Sequence, residues 1–182
     1  MMGRNIIILN GSPRKRGNTA GLIDAFTEGA ESAGHTVTSF FLDGMEIHGC
    51  KGCYQGGKDP ESPCVQKDDM DKIYPVYRKA DVVVLASPLY CWHFSGQLRT
   101  AFDRMLALSE DKSSQANKGK DAVLLMAGGG YDFKDSVSYY ESLLRHLGWG
   151  NLGQVLAGGA YKLGDIKGHP ALEEARKLGA SL

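Results

Sequence analysis

Three short stretches hold residues whose types and spacing could do chemistry. The first is "NGSPRKRGNT", Asn10 to Thr19. Ser12, Asn18 and Thr19 are side-chain donors, Arg14, Lys15 and Arg16 are consecutive cations, and Gly11 and Gly17 bracket the cationic part. An apolar run, Ile6–Leu9, leads in and a helical pattern leads out. A strand that turns into a helix this way offers the helix's unpaired N–H groups and the positive end of its dipole. Such a loop holds an anion, and a phosphate group fits it. The glycines let the backbone curl closely around the ligand.

The kind of phosphate is narrowed by what the loop lacks. A nucleoside-triphosphate loop has four residues between its glycines and then Lys-Ser/Thr. Here five separate Gly11 from Gly17, and Asn18 stands where the lysine would be. The dinucleotide pattern G-x-G-x-x-G is also missing from this loop, and it holds no cysteine to serve as a phosphatase nucleophile. A phosphomonoester held as an anchor remains.

The second stretch is "SPLYCWHFSG", Ser87 to Gly96. Pro88 stiffens the turn, and Tyr90, Trp92 and Phe94 present flat faces to a planar ligand. Phe94 reads equally well as a core residue, and His93 as a surface or interface histidine. The third is "AGGGYDF", Ala127 to Phe133. Gly128, Gly129 and Gly130 are costly to order, so a close backbone approach to a ligand explains them, with Tyr131 placed to cover an aromatic ring. A merely permissive turn is the plainer alternative. An anion cradle, an aromatic platform and a glycine approach together describe a flat, phosphorylated cofactor. Flavin mononucleotide (FMN) has that shape.

The elements that must position these loops follow from periodicity. Ile6–Leu9, Val82–Ala86 and Ala122–Ala127 are apolar runs suited to strands buried on both faces, with Thr36–Leu42 and Gln154–Ala157 as weaker candidates. Helical stripes follow at Leu22–Ala30, with Gly34 beyond its end, and at Ile73–Ala80, entered through Asp68-Asp69. Leu98, Ala101, Phe102, Met105 and Leu106 mark a third helix capped by Ser95. Val137–Leu147, closed by Gly148, is the fourth, and His169-Pro170 opens the last. Strands alternating with helices imply an α/β three-layer sandwich around a five-stranded parallel sheet in the flavodoxin-like order 2-1-3-4-5. One domain over residues 1–182 is expected, with Gly44–Lys67 as an insertion after strand two. The three loops then share the C-terminal edge of the sheet, where such folds bind ligands.

Composition excludes other classes. The 182 residues carry 21 cations and 21 anions, so the Arg14–Arg16 cluster is local, without the broad basic excess of a nucleic-acid binder. No apolar run approaches a membrane span and no signal peptide is legible. Four cysteines in such a chain suggest the cytoplasm.

The segments "GSPRKRGNT" and "SPLYCWHFSGQLRTAFDR" resemble the flavodoxin-like NAD(P)H-dependent FMN reductases, including the iron–sulfur flavoproteins, and the resemblance runs from Ile6 to about Leu178. It implies that Ser12, Arg14, Asn18 and Thr19 hold the FMN phosphate. It implies that Pro88, Leu89, Tyr90 and Trp92 contact the ring, and that Gly128–Gly130 complete the site. It further implies hydride transfer from NAD(P)H through FMN to a quinone, a flavin or a similar small acceptor, in a homodimer or higher homo-oligomer, with no catalytic side chain. Iron–sulfur members carry a pattern similar to C-x2-C-x2-C-x4-7-C. Here Cys50 and Cys53 are followed by Gly56 in the third place and then Cys64. Three thiolates fall short of a cubane's four, so no metal is expected, although His48 could complete a zinc set. Cys91 is expected to pack as a small apolar residue. The alternatives are a flavodoxin-type electron carrier, which the neutral charge disfavours, and a phosphate-binding protein without flavin.

Overall fold

The computed structural model describes residues 3–110 and 116–182. Its sheet is built from β1 (Asn5–Asn10), β2 (Thr36–Phe41), β3 (Val82–Pro88), β4 (Asp121–Ala127) and β5 (Gly150–Ala157). All pairings are parallel and the order is β2-β1-β3-β4-β5, as expected for the flavodoxin-like fold. Alternate residues of each strand face opposite sides. Ile7, Leu9, Val83, Leu85, Leu124 and Met126 pack on one side against α2 (Met70–Lys79), α3 (Gly96–Asp103) and α5 (Lys134–Leu147). Ile6, Ile8, Val82, Val84, Val123 and Leu125 pack on the other against α1 (Asn18–Ser32) and α6 (Ala171–Ala180). Burying each such side chain fully is worth about 1.5–3 kcal/mol, so β1, β3 and β4 dominate the core.

The expected caps form. The Ser95 side chain accepts from the Leu98 N–H at the start of α3, Gly34 follows α1 at positive φ, and Gly148 ends α5 in the left-handed region. Three boundaries differ from the sequence reading. β5 begins at Gly150, four residues early, because an edge strand bonded only to β4 can be built from the patternless Gly150–Gly153, exposed at its first two residues and half-buried at the next two. The Leu98–Leu106 stripe is not one helix. α3 stops at Asp103 and the short α4 (Leu106–Ser109) follows, leaving Leu106 exposed. The last helix begins at Ala171, with Pro170 outside it and the His169 Nδ1 accepting the Ala171 N–H at 3.1 Å.

Between a 3-10 turn (Leu42–Gly44) and α2, residues 45–69 form neither helix nor strand. They are held by one buried side chain. Arg104 donates through Nη1 to Asp68 Oδ2 at 2.6 Å and through Nη2 to Asp68 Oδ1 at 3.2 Å. The same guanidinium donates to the carbonyls of His48 at 2.8 Å and Gln66 at 3.3 Å.

Candidate functional site

The C-terminal ends of β1, β3, β4 and β5 open into a cleft of about 1070 Å³. β1 delivers the anion loop. The Ser95 hydroxyl donates to the Gly11 carbonyl at 2.6 Å, tying that loop to the start of α3. Only glycine fits at position 11, since a Cβ there would lie 2.6 Å from both Leu98 Cβ and Ser95 Oγ. Ser12 Oγ accepts from the Arg14 N–H at 3.1 Å, which shapes the turn. α1 then starts without any side-chain cap or acidic residue in its first turn. The N–H groups of Asn18 and Thr19 consequently have no partner among the described residues. Neither does the hydroxyl of Thr19, although the residue is buried. Three unmet donors converge on a cleft lined by Arg14 and Lys162 and by no carboxylate.

The loop after β3 forms the middle of the cleft with Pro88, Leu89 and Tyr90. It ends in a tight turn in which the Tyr90 N–H bonds the His93 carbonyl at 3.0 Å and the His93 N–H bonds the Tyr90 carbonyl at 2.9 Å. Cys91 and Trp92, the central residues, take φ of 49° and 59°. This is a mirror-image turn normally built from Asn-Gly. The Ser136 hydroxyl holds it from α5, donating to the Trp92 carbonyl at 2.8 Å. His93 packs against Tyr139 with centroids 4.7 Å apart and the rings tilted by 55°, and its Nδ1 accepts the Phe94 N–H at 2.8 Å. Burial, then the Arg99 cation, push its pKa down, with Asp135 opposing.

The glycine loop after β4 closes the far wall. Gly128 is spent on the sheet, its N–H bonding the Ala157 carbonyl at 2.9 Å. The N–H groups of Gly129 and Gly130 line the cleft and form no hydrogen bond among the described residues. A heterocycle edge could use them.

The structure gathers Ser12, Arg14, Asn18, Thr19, Pro88, Leu89, Tyr90 and Gly128–Gly130 around this one cleft. Trp92 and Tyr131, expected with them, do not line it. Trp92 is 62% exposed at the tip of its turn, and Tyr131 is 82% exposed and lies on Gly158 and Gly159. Phe94 is a core residue. Cys91 is exposed, against the expectation that it packs inside, because the turn projects it outward. The Asn18 side chain is engaged within the fold, which leaves only its backbone N–H unmet toward the cleft. Its Nδ2 donates to the carbonyls of Ala160 at 3.0 Å and Lys162 at 2.9 Å, and its Oδ1 accepts from the N–H groups of Gly164 and Ile166.

Those contacts point to the wall that sequence reasoning missed. Ala160, Tyr161, Lys162 and Leu163, after β5, complete the cleft. The signal was present in "GGAYKLGD", a further glycine pair with an aromatic and a cation beyond a strand end. Tyr161 lies across Gly129 as Tyr131 lies across Gly158, so the two loops interlock.

A parallel sheet in this order, with an uncapped helix start facing a cleft at its C-terminal edge, defines the flavodoxin-like fold. The chain belongs to the NADPH-dependent FMN reductase family, which it matches over residues 4–162. It is 30% identical over 172 residues to an iron–sulfur flavoprotein of Archaeoglobus fulgidus, covering 94% of this chain and 76% of that one. It is 32% identical over 169 residues to an iron–sulfur flavoprotein of Methanosarcina thermophila, covering 91% and 83%. Among solved structures it is similar to an NAD(P)H:quinone oxidoreductase from Methanothermobacter marburgensis, with TM-score 0.73, 20% identity and coverage of 98% and 96%. An FMN-dependent NADH-azoreductase from Bacillus anthracis, in complex with FMN, gives TM-score 0.69 at 16% identity, covering 97% and 96%. Among the described residues no helix is long and apolar enough to cross a membrane.

Proposed function

We propose that this chain binds FMN in the cleft and uses it to carry electrons from NAD(P)H to a small acceptor such as a quinone or a flavin. The observation that carries this is the set of unmet donors at the start of α1, facing a cleft without a carboxylate. Thr19, the N–H groups of Asn18 and Thr19, and the Arg14 side chain hold the phosphate, and Ser12 keeps the loop in shape. Pro88, Leu89 and Tyr90 support the ring, with the N–H groups of Gly129 and Gly130 at its polar edge. When bound, FMN supplies the reversible acceptance of two electrons as hydride. The balanced reaction with a quinone is NAD(P)H + H⁺ + quinone giving NAD(P)⁺ and hydroquinone. The chain's part is to anchor, flatten and exclude water, and no side chain acts as acid or base. His93, with Nδ1 already accepting a backbone proton, has a structural part.

The rim supports a homodimer as the working form, in the cytoplasm. Tyr90, Trp92, Tyr131, Tyr161 and Leu163 all stand exposed around one end of the molecule, and such apolar clusters mark interfaces. A flavodoxin-type carrier is the second reading, and it differs in lacking direct oxidation of a nicotinamide. The test is purification followed by flavin release and stopped-flow mixing with NADPH or NADH under anaerobic conditions. A yellow protein with one FMN per chain that bleaches on mixing is the expected result. A colourless protein that takes up no added FMN overturns the proposal, and a yellow one that neither nucleotide reduces favours the carrier.

A further inference from the structure

We propose that this chain works without the iron–sulfur cluster for which its relatives from Archaeoglobus fulgidus and Methanosarcina thermophila are named, because a protein contact fills the cluster's place. Cys50, Cys53 and Cys64 all line one cavity, together with Gly56, Arg104 and Glu110. That cavity measures about 20 Å³. A single water needs about 10–15 Å³, so the space is far short of a cubane. The position where a further cysteine would stand is occupied from both sides. The Gly56 N–H donates to the Glu110 carboxylate, and Gly56 packs on α4. A Cβ at position 56 would lie 2.9 Å from Ala107 Cα, a backbone atom that no rotamer can move. Gly56 is therefore the residue this packing requires, and not simply a missing ligand.

The cysteine segment is not free to back away. Arg104 grips His48 on one flank and Gln66 and Asp68 on the other, and the Gly57 N–H closes the loop onto the Pro63 carbonyl at 3.0 Å. Cys64 lines the same cavity as Arg104, so its side chain sits beside the guanidinium that holds the segment. His48, the possible substitute ligand, lies against Asp68 instead, its Nδ1 3.5 Å from Oδ2. Among the described residues, no three His, Cys, Asp or Glu side chains converge as metal ligands do. The residues do not fit the cluster.

The inference deepens the proposed function and rests on it for one consequence. With no cluster to relay electrons, the acceptor must meet the flavin site directly. The experiment is anaerobic purification, followed by treatment with ferrous iron, sulfide and dithiothreitol and then desalting. Iron, acid-labile sulfide, flavin and reactive thiols are counted per chain. The expected result is no iron or sulfide above the buffer blank, with all four cysteines free to react once the protein is denatured. Gly56→Cys treated alike is also expected to stay free of iron, because Ala107 blocks the new side chain. Iron and sulfide in stoichiometric amount in either protein overturn the proposal. Flavin content reads separately on the proposed function, since a chain without FMN and without iron defeats that reading and not this one.

Discussion

The side-chain amide of Asn18 lies 3.0 Å from the carbonyl of Ala160, across 142 residues of sequence. Through this contact and three others, the first residue of α1 fixes the loop that follows β5. The start of α1 and the outer wall of the cleft are thus one hydrogen-bonded unit. Its neighbour Thr19 has a hydroxyl that the fold does not use. The Asn18 amide belongs to the scaffold, and the Thr19 hydroxyl is left unmet beside it.

Asn18→Ala and Thr19→Ala should therefore behave differently. Asn18→Ala strands the partners of a buried amide and is expected to lower stability of the flavin-free protein by about 1–3 kcal/mol in urea titration. Thr19→Ala removes no hydrogen bond from the flavin-free fold and only a buried methyl, so its stability should fall by no more than about 1 kcal/mol. Its FMN affinity should fall about ten- to a hundredfold, the loss of one hydrogen bond to a charged group. Unchanged FMN affinity in Thr19→Ala would remove that residue from the site.

Arg104 and Asp68 form an ion pair with side chains 0% and 3% exposed. Breaking such a pair leaves an uncompensated buried charge, and Arg104→Leu is expected to cost about 3–5 kcal/mol. The carboxyl also sets an acid limit. Burial pushes the Asp68 pKa up, but the Arg104 hydrogen bonds and the N–H groups of His48 and Met70 outweigh it and hold the pKa below its ordinary value. A depressed carboxyl pKa contributes stability that is full above about pH 4 and is lost as pH falls through the folded value. Stability measured from pH 5 down to pH 2 should drop for wild type. In Asp68→Asn the baseline should be lower and this contribution to the slope missing.

His93 acts in a different window. Its pKa is depressed, so the folded protein prefers the neutral ring. The stability it contributes is present above about pH 6.5 and declines as pH falls through the folded value. His93→Phe keeps a ring against Tyr139 and removes the titration, at the cost of the bond from the Phe94 N–H. It should flatten the stability profile just below pH 6.5 while leaving the Asp68 limb intact. An identical profile in wild type and variant would show that His93 titrates without strain.

The exposed ring of Trp92, Tyr131 and Tyr161 bears on assembly. Sedimentation at micromolar protein is expected to show twice the 19.7 kDa chain mass. Tyr131→Ser with Tyr161→Ser should shift the equilibrium toward the single chain. A wild-type species at the single mass that still oxidises NAD(P)H with a quinone would mean that one subunit suffices.

Much of this was legible in the sequence where local chemistry and tertiary need agree. Ile6–Leu9 reads as a buried parallel strand and is one, because a strand covered on both faces is apolar throughout. Ser95 and Gly148 read as caps and serve as caps. The wall at Ala160–Leu163 was not read, since its place depends on Asn18, a partner far away in the chain. The same contact hid the use of the Asn18 side chain, because a donor at a helix start looks alike whether it faces a cleft or a loop. Trp92 was drawn to the site by its type, and its outward aim follows from a backbone conformation that Cys-Trp would not suggest.

That conformation gives the last expectation. Cys91 and Trp92 both hold positive φ, which costs about 1–3 kcal/mol at each non-glycine residue when the surroundings impose it. Here they are imposed by the paired backbone bonds between Tyr90 and His93 and by the Ser136 hydroxyl on the Trp92 carbonyl. Asn-Gly adopts the same turn without that penalty. Cys91→Asn with Trp92→Gly keeps every backbone partner, and Trp92 is already largely exposed, so little packing is lost. The double variant should be more stable than wild type by about 1–2 kcal/mol, less than the full strain because Gly gains freedom in the unfolded chain. Thermal melts of the flavin-free proteins measure it. Unchanged FMN affinity alongside the gain would place Trp92 at a partner surface. A parallel loss of affinity would place its ring over the cleft when FMN is bound. A drop in stability would show that the turn is not strained, and that the two side chains hold it in a way their exposure does not reveal.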